Sequence, residues 1–246
     1  MMMKRIISFA VYGNDPVYLQ GAVENALSAS AIYPGWTCRF YVSQEVQDPV
    51  IRQLRDAGAE VARRQRRYEA DGLFWRFFPA SESGVDAVIV RDVDSRLSER
   101  ERLAVEEWLD SGAAIHIMRD HPNHRNLIMG GMWGCRAGAI PSVRRLIWNW
   151  RWRRWRKGLP AFDRYGLDQL FLSEMVYPRC RHSACIHTDW VRFSGEAVRP
   201  FPLPWKPSGY VGERVSKDGT PTDQCQGYGE PVIADVALSD FAPGVI

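Results

Sequence analysis

The chain has 246 residues, of which 46% are hydrophobic and 25% are charged, with a formal net charge of +3. This length can bury the core of one large α/β domain, and so small a net charge argues against a nucleic-acid-binding protein. The five cysteines are odd in number and mostly far apart, which favours reduced thiols over a disulfide framework. With no secretory leader pattern and no run of ~20 apolar residues, the sequence predicts a soluble, cytoplasmic protein.

Apolar runs and turn signals alternate along the first half of the chain. Runs rich in β-branched and aromatic residues predict strands over 6–11, 38–42, 60–62, 88–90 and 113–118. Between them, helical patterns cover 17–30, 48–57, 72–79 and 98–109. The last of these begins with Ser98 and Glu101, which match a capping box. The alternation predicts an α/β fold with a Rossmann-like, mostly parallel sheet flanked by helices.

The second half is less regular. Helical patterns cover 141–157 and 167–175, and the proline-rich segment 200–207 is expected to wrap over the rest of the chain. No change of composition marks a linker, so we expect a single domain over 1–246 with an irregular C-terminal part.

The run Val88-Ile89-Val90-Arg91-Asp92-Val93-Asp94-Ser95 takes a buried strand directly into two carboxylates. Side chains alternate sides in an extended chain, so Asp92 and Asp94 share one side. Mg²⁺ and Mn²⁺ prefer oxygen ligands, and they usually combine one or two carboxylates with substrate phosphates. The pattern favours a metal–diphosphate site at the end of this strand; a polar turn that ends the strand is the alternative.

Several segments, in their order along residues 4–190, resemble the GT-A glycosyltransferases. Tyr12-Gly13-Asn14 stands where that family holds the base and ribose, and Leu73-Phe74-Trp75-Arg76-Phe77 resembles its arginine-bearing helix. Arg91-Asp92-Val93-Asp94-Ser95 resembles its Asp-x-Asp metal motif. Gly130-Gly131-Met132-Trp133 resembles the strand that lines the donor sugar, and Asp168-Gln169 resembles the acidic corner of retaining bacterial hexosyltransferases.

The resemblance implies a metal-dependent hexosyltransferase. It implies transfer of a hexose from a nucleoside-diphosphate sugar, with UDP-sugar favoured, to a carbohydrate or glycolipid acceptor with retention. It also implies a nucleotide-binding half over 4–118 and an acceptor-side half with the tail over 119–246.

The same resemblance implies roles for individual residues. Mn²⁺ or Mg²⁺ would bind Asp94 directly, with Asp92 on the metal or on the ribose. The candidate catalytic residues are Asp168, Gln169 and Arg76. Relatives often take a third metal ligand from a histidine near the C-terminal end, and His187 is the candidate here.

Each of these residue types also has a structural interpretation. Arg76 and Arg91 suit phosphate oxygens, although Arg91 fits a surface ion pair equally well. Gly130 and Gly131 allow close backbone approach, or they form an ordinary turn. Asp168 faces the sugar, or it is a carboxylate favoured near a helix N-terminus.

Two clusters of histidine are ambiguous. The segment Asp120-His121-Pro122-Asn123-His124 follows a predicted strand, where α/β sheets place ligands, and it is either a phosphate, acceptor or metal site or a solvated loop. Four potential ligands, two cysteines and two histidines, are crowded into the eight residues 180–187: Cys180, His182, Cys185 and His187. That crowding does not match the paired spacing of zinc sites, so no zinc is expected from this segment.

The segment 144–157 is rich in tryptophan and arginine. At helical spacing, one apolar face is expected in the core: Val143, Leu146, Ile147 and Trp150. A second stripe on the opposite side consists of Trp148, Trp152 and Trp155, flanked by arginines. It suits an anionic surface at the inner face of the membrane, as a lipid-linked acceptor would require, or packing against a partner or the tail.

Two other functions are weighed against the transferase. A non-catalytic sugar- or membrane-binding module on the same fold is disfavoured because Asp92, Asp94 and Asp168 are all intact. A nucleotidylyltransferase typically carries a glycine-rich, arginine-containing loop after the first strand, which the sequence Tyr12-Gly13-Asn14-Asp15-Pro16 does not provide.

Overall fold

The computed structural model of the chain describes residues 3–222 and 228–240. Its strands are β1 (Lys4–Val11), β2 (Trp36–Ser43), β3 (Glu60–Arg64), β4 (Val85–Arg91), β5 (Ile115–Arg119), β6 (Met132–Arg136), β7 (Ala184–Thr188), β8 (Val191–Phe193) and β9 (Ala234–Val236). Its α-helices are α1 (Pro16–Ile32), α2 (Asp48–Asp56), α3 (Asp71–Trp75), α4 (Glu99–Ser111), α5 (Val143–Arg156), α6 (Leu167–Phe171) and α7 (Tyr177–Cys180). Short 3₁₀ turns cover Phe78–Ser81 and Leu238–Asp240, and a π-helical turn, Leu172–Val176, joins α6 to α7.

A seven-stranded sheet in the order β3-β2-β1-β4-β6-β5-β7 forms the centre of the molecule. The pairs of β1 with β2 and β4, of β2 with β3, and of β5 with β7 are parallel, whereas β6 runs antiparallel between β4 and β5. The predicted α/β class with a mostly parallel sheet and flanking helices is therefore confirmed. A separate two-stranded pair joins β8 to β9.

Each face of the sheet is covered by helices. Along β4, Val88 and Val90 face a core that includes residues of α3, α5 and α6, whereas Ala87 and Ile89 face a core with residues of α1, α2 and α4. Because apolar residues occupy both sides of the central strands, the strands are apolar without alternation, as is usual for sheets buried on both faces.

The strand order reverses direction beside β1. From β1 the chain continues to β2 on one side, while β4 pairs on the other side in the register Ile7 with Ile89. In open α/β sheets a crevice opens at such a switch point, outside the carboxyl ends of the strands. The tyrosine that follows β1 and the two aspartates that follow β4 are thus brought to one place.

The predicted elements of the first half are all present. Strands β1 to β4 are longer than expected, whereas β5 begins two residues later and is one residue shorter. The aromatic helix expected over 72–79 is wrong in its extent: α3 ends at Trp75, and a 3₁₀ turn follows at Phe78–Ser81, where Pro79 cannot donate a helical hydrogen bond. The helix expected over 167–175 is likewise interrupted by the π turn. Strand β7 carried no prediction.

The capping box before α4 is half correct. The Ser98 hydroxyl accepts a hydrogen bond from the Glu101 backbone N–H at 3.3 Å, as a cap should. The Glu101 side chain, however, is buried, accepts a hydrogen bond from the Tyr33 hydroxyl at 2.9 Å and pairs with Arg91 at 3.2 Å. The Glu101 side chain therefore links the C-terminal end of α1 to β4 and does not cap α4.

Other features of the second half agree with the sequence. On α5, Val143, Ile147 and Trp150 are buried and Leu146 is half-buried. Phe201 of the proline-rich segment is buried, and the Leu203 carbonyl accepts a hydrogen bond from Arg100. Cys38, Cys135, Cys180 and Cys185 are free thiols, and Cys225 lies outside the described residues. None of the helices in the described part of the chain combines the length and apolarity needed to cross a bilayer.

Candidate active site

A cleft of about 870 Å³ opens at the carboxyl ends of β1 and β4. Its walls come from the ends of these strands, from α3, from the turn before β6, from the start of α6 and from the C-terminal segment. The candidate residues that line it are Tyr12, Arg76, Asp92, Asp94, Gly130, Gly131, Asp168 and Gln169. Segments far apart in sequence therefore converge on one concave, partly polar surface, which is the usual form of a ligand site.

Buried polar contacts hold the turn that carries the two aspartates. The side chain of Asn25, which is fully buried in α1, donates to the Ser95 carbonyl at 2.8 Å and accepts from the Leu97 backbone N–H at 3.0 Å. Gly21 lets α1 approach this turn, since a Cβ on Gly21 would lie 2.1 Å from the Val93 carbonyl oxygen. The positions of Asp92 and Asp94 are thus fixed by the fold.

Arg76 joins the two sides of the cleft. One of its guanidinium nitrogens pairs with Asp92, and another donates to Asp168 at 2.8 Å. The side chains of Arg76 and Asp168 are 9% and 3% exposed, whereas that of Asp92 is 45% exposed. Asp168 is consequently a buried carboxylate neutralised by one arginine, and Asp92 faces solvent in the cleft.

The two glycines before β6 are required because two carboxylates lie very close to their backbone. A Cβ on Gly131 would lie 2.0 Å from Asp92 Oδ2, and a Cβ on Gly130 would lie 2.5 Å from Asp168 Oδ2. Contacts this short exclude any larger residue unless the carboxylates move. The close backbone approach predicted at Gly130 and Gly131 is therefore an approach to the carboxylates of Asp168 and Asp92.

The carboxylates differ in their electrostatic surroundings. Burial, followed by the nearby Asp92 carboxylate, raises the pKa of Asp94, and Arg214 partly opposes this effect. Burial also raises the pKa of Asp168, against the lowering influence of Arg76. Burial alone would lower the pKa of Arg76, but Asp92 and Asp168 raise it above its usual range. Raised carboxyl pKa values in a cleft are typical of functional sites.

Only part of the segment 12–14, which was predicted to hold the nucleobase and ribose of the donor, lies in the cleft. Tyr12 lines the cleft beside Gly72, where a Cβ would lie 2.3 Å from the Tyr12 ring. Gly13, with a positive φ of 79°, and Asn14 turn the chain toward α1 and do not line the cleft. Of the three residues, Tyr12 alone is brought together with the aspartates.

The structure corrects the phosphate role expected for Arg91. Its side chain is 3% exposed and pairs with Glu101, and its guanidinium also donates to the Val90 carbonyl at 2.8 Å. Arg91 precedes Asp92 by one residue and therefore points to the opposite side of the strand. It does not line the cleft.

His187 is a second correction. It was expected to complete the metal shell, but its ring is fully buried under α4 and does not line the cleft. Its Nδ1 faces His116 at 2.9 Å and its Nε2 faces Glu107 at 3.0 Å. Both ring nitrogens are thus engaged away from Asp94.

The loop after β5 is a wall of the cleft. His121, Asn123 and His124 line it, whereas Asp120 is buried and accepts two hydrogen bonds from Arg100, each at 2.7 Å. The Asp120 backbone N–H donates to His124 Nδ1 at 3.1 Å, so in the neutral ring the proton of His124 is on Nε2. Burial and the neighbouring His121 lower the pKa of His124 to about 3. His124 is therefore a neutral hydrogen-bond donor.

The C-terminal segment also belongs to the site, through residues for which the sequence predicted no contact with the aspartates. Tyr210, Gly212 and Arg214 line the cleft, and Arg214 Nε lies 3.0 Å from Asp94 Oδ2. The Val215 backbone N–H donates to the Asp94 carbonyl at 2.7 Å. A glycine pair, Gly209 and Gly212, marks a loop here, but no spacing rule connects it to residues more than one hundred positions earlier.

Comparison with known proteins adds a set of similar structures. No family model matches the chain, and no curated protein matches it. Similar solved structures include glucosyl-3-phosphoglycerate synthase from Mycobacterium tuberculosis in complex with Mn²⁺, UDP-glucose and glycerol 3-phosphate (14% identity, TM-score 0.45, 76% of this chain and 70% of that chain). They also include the galactosyltransferase LgtC in complex with donor and acceptor sugar analogs (14% identity, TM-score 0.48, 77% of this chain and 76% of that chain).

Proposed function

We propose that the protein is a metal-dependent glycosyltransferase that moves a hexose from a nucleoside-diphosphate sugar, with UDP-sugar favoured, to a carbohydrate or glycolipid acceptor. One observation carries this proposal: Asp92, Asp94, Arg76 and Asp168 meet in a cleft at the switch point of the sheet. The arrangement combines oxygen ligands for a hard cation with a buried cation–carboxylate pair that a sugar can contact.

The residues present fit a hard divalent cation. Asp94 and Asp92 offer carboxylate oxygens, and each of them already holds a cationic group, Arg214 or Arg76, in the place of a counter-ion. Oxygen ligands of this kind suit Mn²⁺ and Mg²⁺. Asp94 would hold the metal with Asp92 beside it, and the bound metal would neutralise the diphosphate leaving group.

The chain's own residues account for the remaining requirements. Tyr12 offers an aromatic ring at the end of β1, where a base or sugar can pack. Arg76 neutralises and orients Asp168, which places a buried negative charge where positive charge would develop on the anomeric carbon. Gln169 accepts a hydrogen bond from Asn126 at 2.5 Å, so its amide NH₂ is the group left to donate to a sugar hydroxyl.

Retention of configuration is proposed from the sequence resemblance of the Asp168-Gln169 corner alone. The raised pKa of Asp168 suits either stabilisation of a cation or the removal of an acceptor proton. The anomeric configuration of the glycosidic bond in the transfer product, read by NMR, decides between retention and inversion.

The first prediction concerns ligand addition and removal. With Mn²⁺ present, UDP is expected to raise the midpoint of thermal unfolding, since a ligand that binds only the folded state stabilises it by about 2.7 kcal/mol at a concentration 100 times its Kd. EDTA should abolish this UDP-dependent shift. A shift of equal size with and without metal would contradict the metal–diphosphate assignment.

A non-catalytic binding module would show the same thermal shift. Slow hydrolysis of the donor in the absence of any acceptor separates the two functions. Release of free hexose and UDP supports the enzyme, whereas tight donor binding without any hydrolysis or transfer supports the module.

A membrane-associated acceptor is supported by the exposed face of α5. Trp148, Trp152 and Trp155 are 56%, 43% and 60% exposed. Several cationic side chains on α5 and at its C-terminal end form no ion pair with the described residues. They include Arg145, Arg153, Arg156 and Lys157. Leu159 lies in the same surface groove as Trp155, and the exposed Tyr165 further along the chain lines the cleft. We propose peripheral contact with the inner face of the membrane through this face.

The second prediction tests that contact. Replacing Trp148, Trp152 and Trp155 together by alanine should weaken sedimentation with anionic vesicles by about tenfold or more, because each buried indole contributes more than ~1 kcal/mol. Leu27→Ala, which removes an exposed apolar side chain from α1, is the control and should bind like the parent. Equal binding of the triple variant, or no binding by the parent, would refute the membrane assignment.

A further inference from the structure

Three ligand-type side chains meet beneath α4, on the face of the sheet that the cleft does not use. The parallel register of β5 and β7 pairs His116 with Cys185, and His187, two residues further along β7, lies on the same side. The exposed fractions of His116, Cys185 and His187 are 0%, 3% and 0%. Two imidazoles and a thiol therefore share one buried location.

The distances suit a single metal ion. His116 Nε2 lies 2.9 Å from His187 Nδ1, Cys185 Sγ lies 3.9 Å from the same atom, and all three ligand atoms lie within 4.8 Å of one another. Zinc bonds of about 2.0–2.1 Å to nitrogen and about 2.3 Å to sulfur place the ligand atoms of a tetrahedron roughly 3.3–3.7 Å apart. The two distances to His187 Nδ1 need changes of a few tenths of an ångström to reach that spacing. The His116 Nε2–Cys185 Sγ distance, which is at most 4.8 Å, needs to shorten by up to about 1.2 Å, a change that a side-chain rotation can supply.

The surroundings orient the ligands. Glu107 of α4 lies 3.0 Å from His187 Nε2, so the His187 proton is placed on Nε2 and the lone pair of Nδ1 faces His116 and Cys185. A carboxylate on the second ring nitrogen is the usual support of a metal-binding histidine. The Trp108 ring stacks on His116 with centroids 5.4 Å apart, and the Glu107 side chain that holds His187 is itself 45% exposed.

The alternative is an ordinary buried histidine pair, in which His116 Nε2–H donates to His187 Nδ1. With or without a metal, His116 Nδ1 has no hydrogen-bond partner among the described residues. In such a pair the Cys185 thiol makes only a long contact with His187 Nδ1, at 3.9 Å, whereas thiolate and imidazole together are ligands that zinc prefers.

We propose that His116, Cys185 and His187 form a buried site for a borderline-soft divalent cation, Zn²⁺ by the chemistry of the ligands, with water as the fourth ligand. The ion would join β5, β7 and, through Glu107, α4. This site is separate from the donor cleft, and it does not depend on the proposed transferase activity.

The test is cobalt substitution under reducing conditions. The parent chain should bind one Co²⁺ at this site with a thiolate-to-cobalt charge-transfer absorption, and Cys185→Ser should lose that absorption. Cys135→Ser and Cys225→Ser are matched thiol controls that should keep it. Asp94→Asn should also keep it, which separates this site from the metal of the cleft.

A second variant guards against a failure of Cys185→Ser to fold. His116→Phe retains a ring that can stack on Trp108 but removes one ligand, and it should lower the Zn²⁺ retained after gel filtration, measured by elemental mass spectrometry, from about one per chain to near zero. Absence of the absorption from the parent, its survival in Cys185→Ser, or equal Zn²⁺ retention by the parent and His116→Phe would overturn the proposal.

Discussion

Asp94→Asn is expected to reduce donor turnover by about 100-fold or more, a loss typical for removal of one group that stabilises transition-state charge. The amide side chain would keep the size of the aspartate and an oxygen that can accept the Arg214 hydrogen bond, so the turn after β4 should persist. The negative charge on the proposed metal is lost. Initial rates of donor hydrolysis and of transfer at saturating Mn²⁺ measure the effect.

The control for this variant is Asp110→Asn, which removes an exposed carboxylate from α4 and should leave the rate unchanged. Circular dichroism and the unfolding midpoint should be close to those of the parent for both variants. An Asp94→Asn enzyme that binds UDP with Mn²⁺ and turns over donor like the parent would remove the basis of the proposed function.

The first half of the fold was predictable because its signals are local. Apolar runs bounded by loop residues, such as Ile6 to Val11 before Tyr12-Gly13, define strands without reference to distant residues. The same local rule placed Asp92 and Asp94 on one side of the chain. The same alternation of side chains places Arg91, one residue before Asp92, on the opposite side of the strand. There the structure pairs it with Glu101. Residue type alone favours a phosphate ligand at position 91, but side-chain direction turns Arg91 away from the cleft.

The rest of the candidate site depends on long-range packing. Arg214 meets Asp94 across 120 sequence positions, and no sequence period records such a contact. The cluster under α4 has the same origin. Within 180–187 the ligand spacing argued against zinc, and Cys180 and His182 do not take part. The third side chain, His116, comes from β5 through strand register, which one sequence does not reveal.

Arg76→Met is expected to lower the free energy of unfolding by about 3–5 kcal/mol and to abolish measurable transfer, because the variant leaves the buried Asp168 carboxylate without its cation. Asp92, which is half exposed, should contribute little to this loss, since solvent screens it. Urea unfolding at neutral pH measures the change. Arg52→Met on α2 removes an exposed arginine and should stay within about 0.5 kcal/mol of the parent.

A second substitution identifies the cause of that loss. In Arg76→Met/Asp168→Asn no buried charge is left unpaired, so most of the lost stability should return while transfer stays absent. The pH dependence has a defined sign. Burial already raises the pKa of Asp168 in the folded chain, and removal of Arg76 raises it further, so the folded state of Arg76→Met binds more protons than the unfolded state. Its stability should therefore recover as the pH falls below the raised pKa toward the ordinary carboxyl range. Two results would contradict this explanation: an Arg76→Met variant as stable as the parent, or a double variant no more stable than Arg76→Met. Either would mean that Arg76 does not offset the buried charge of Asp168.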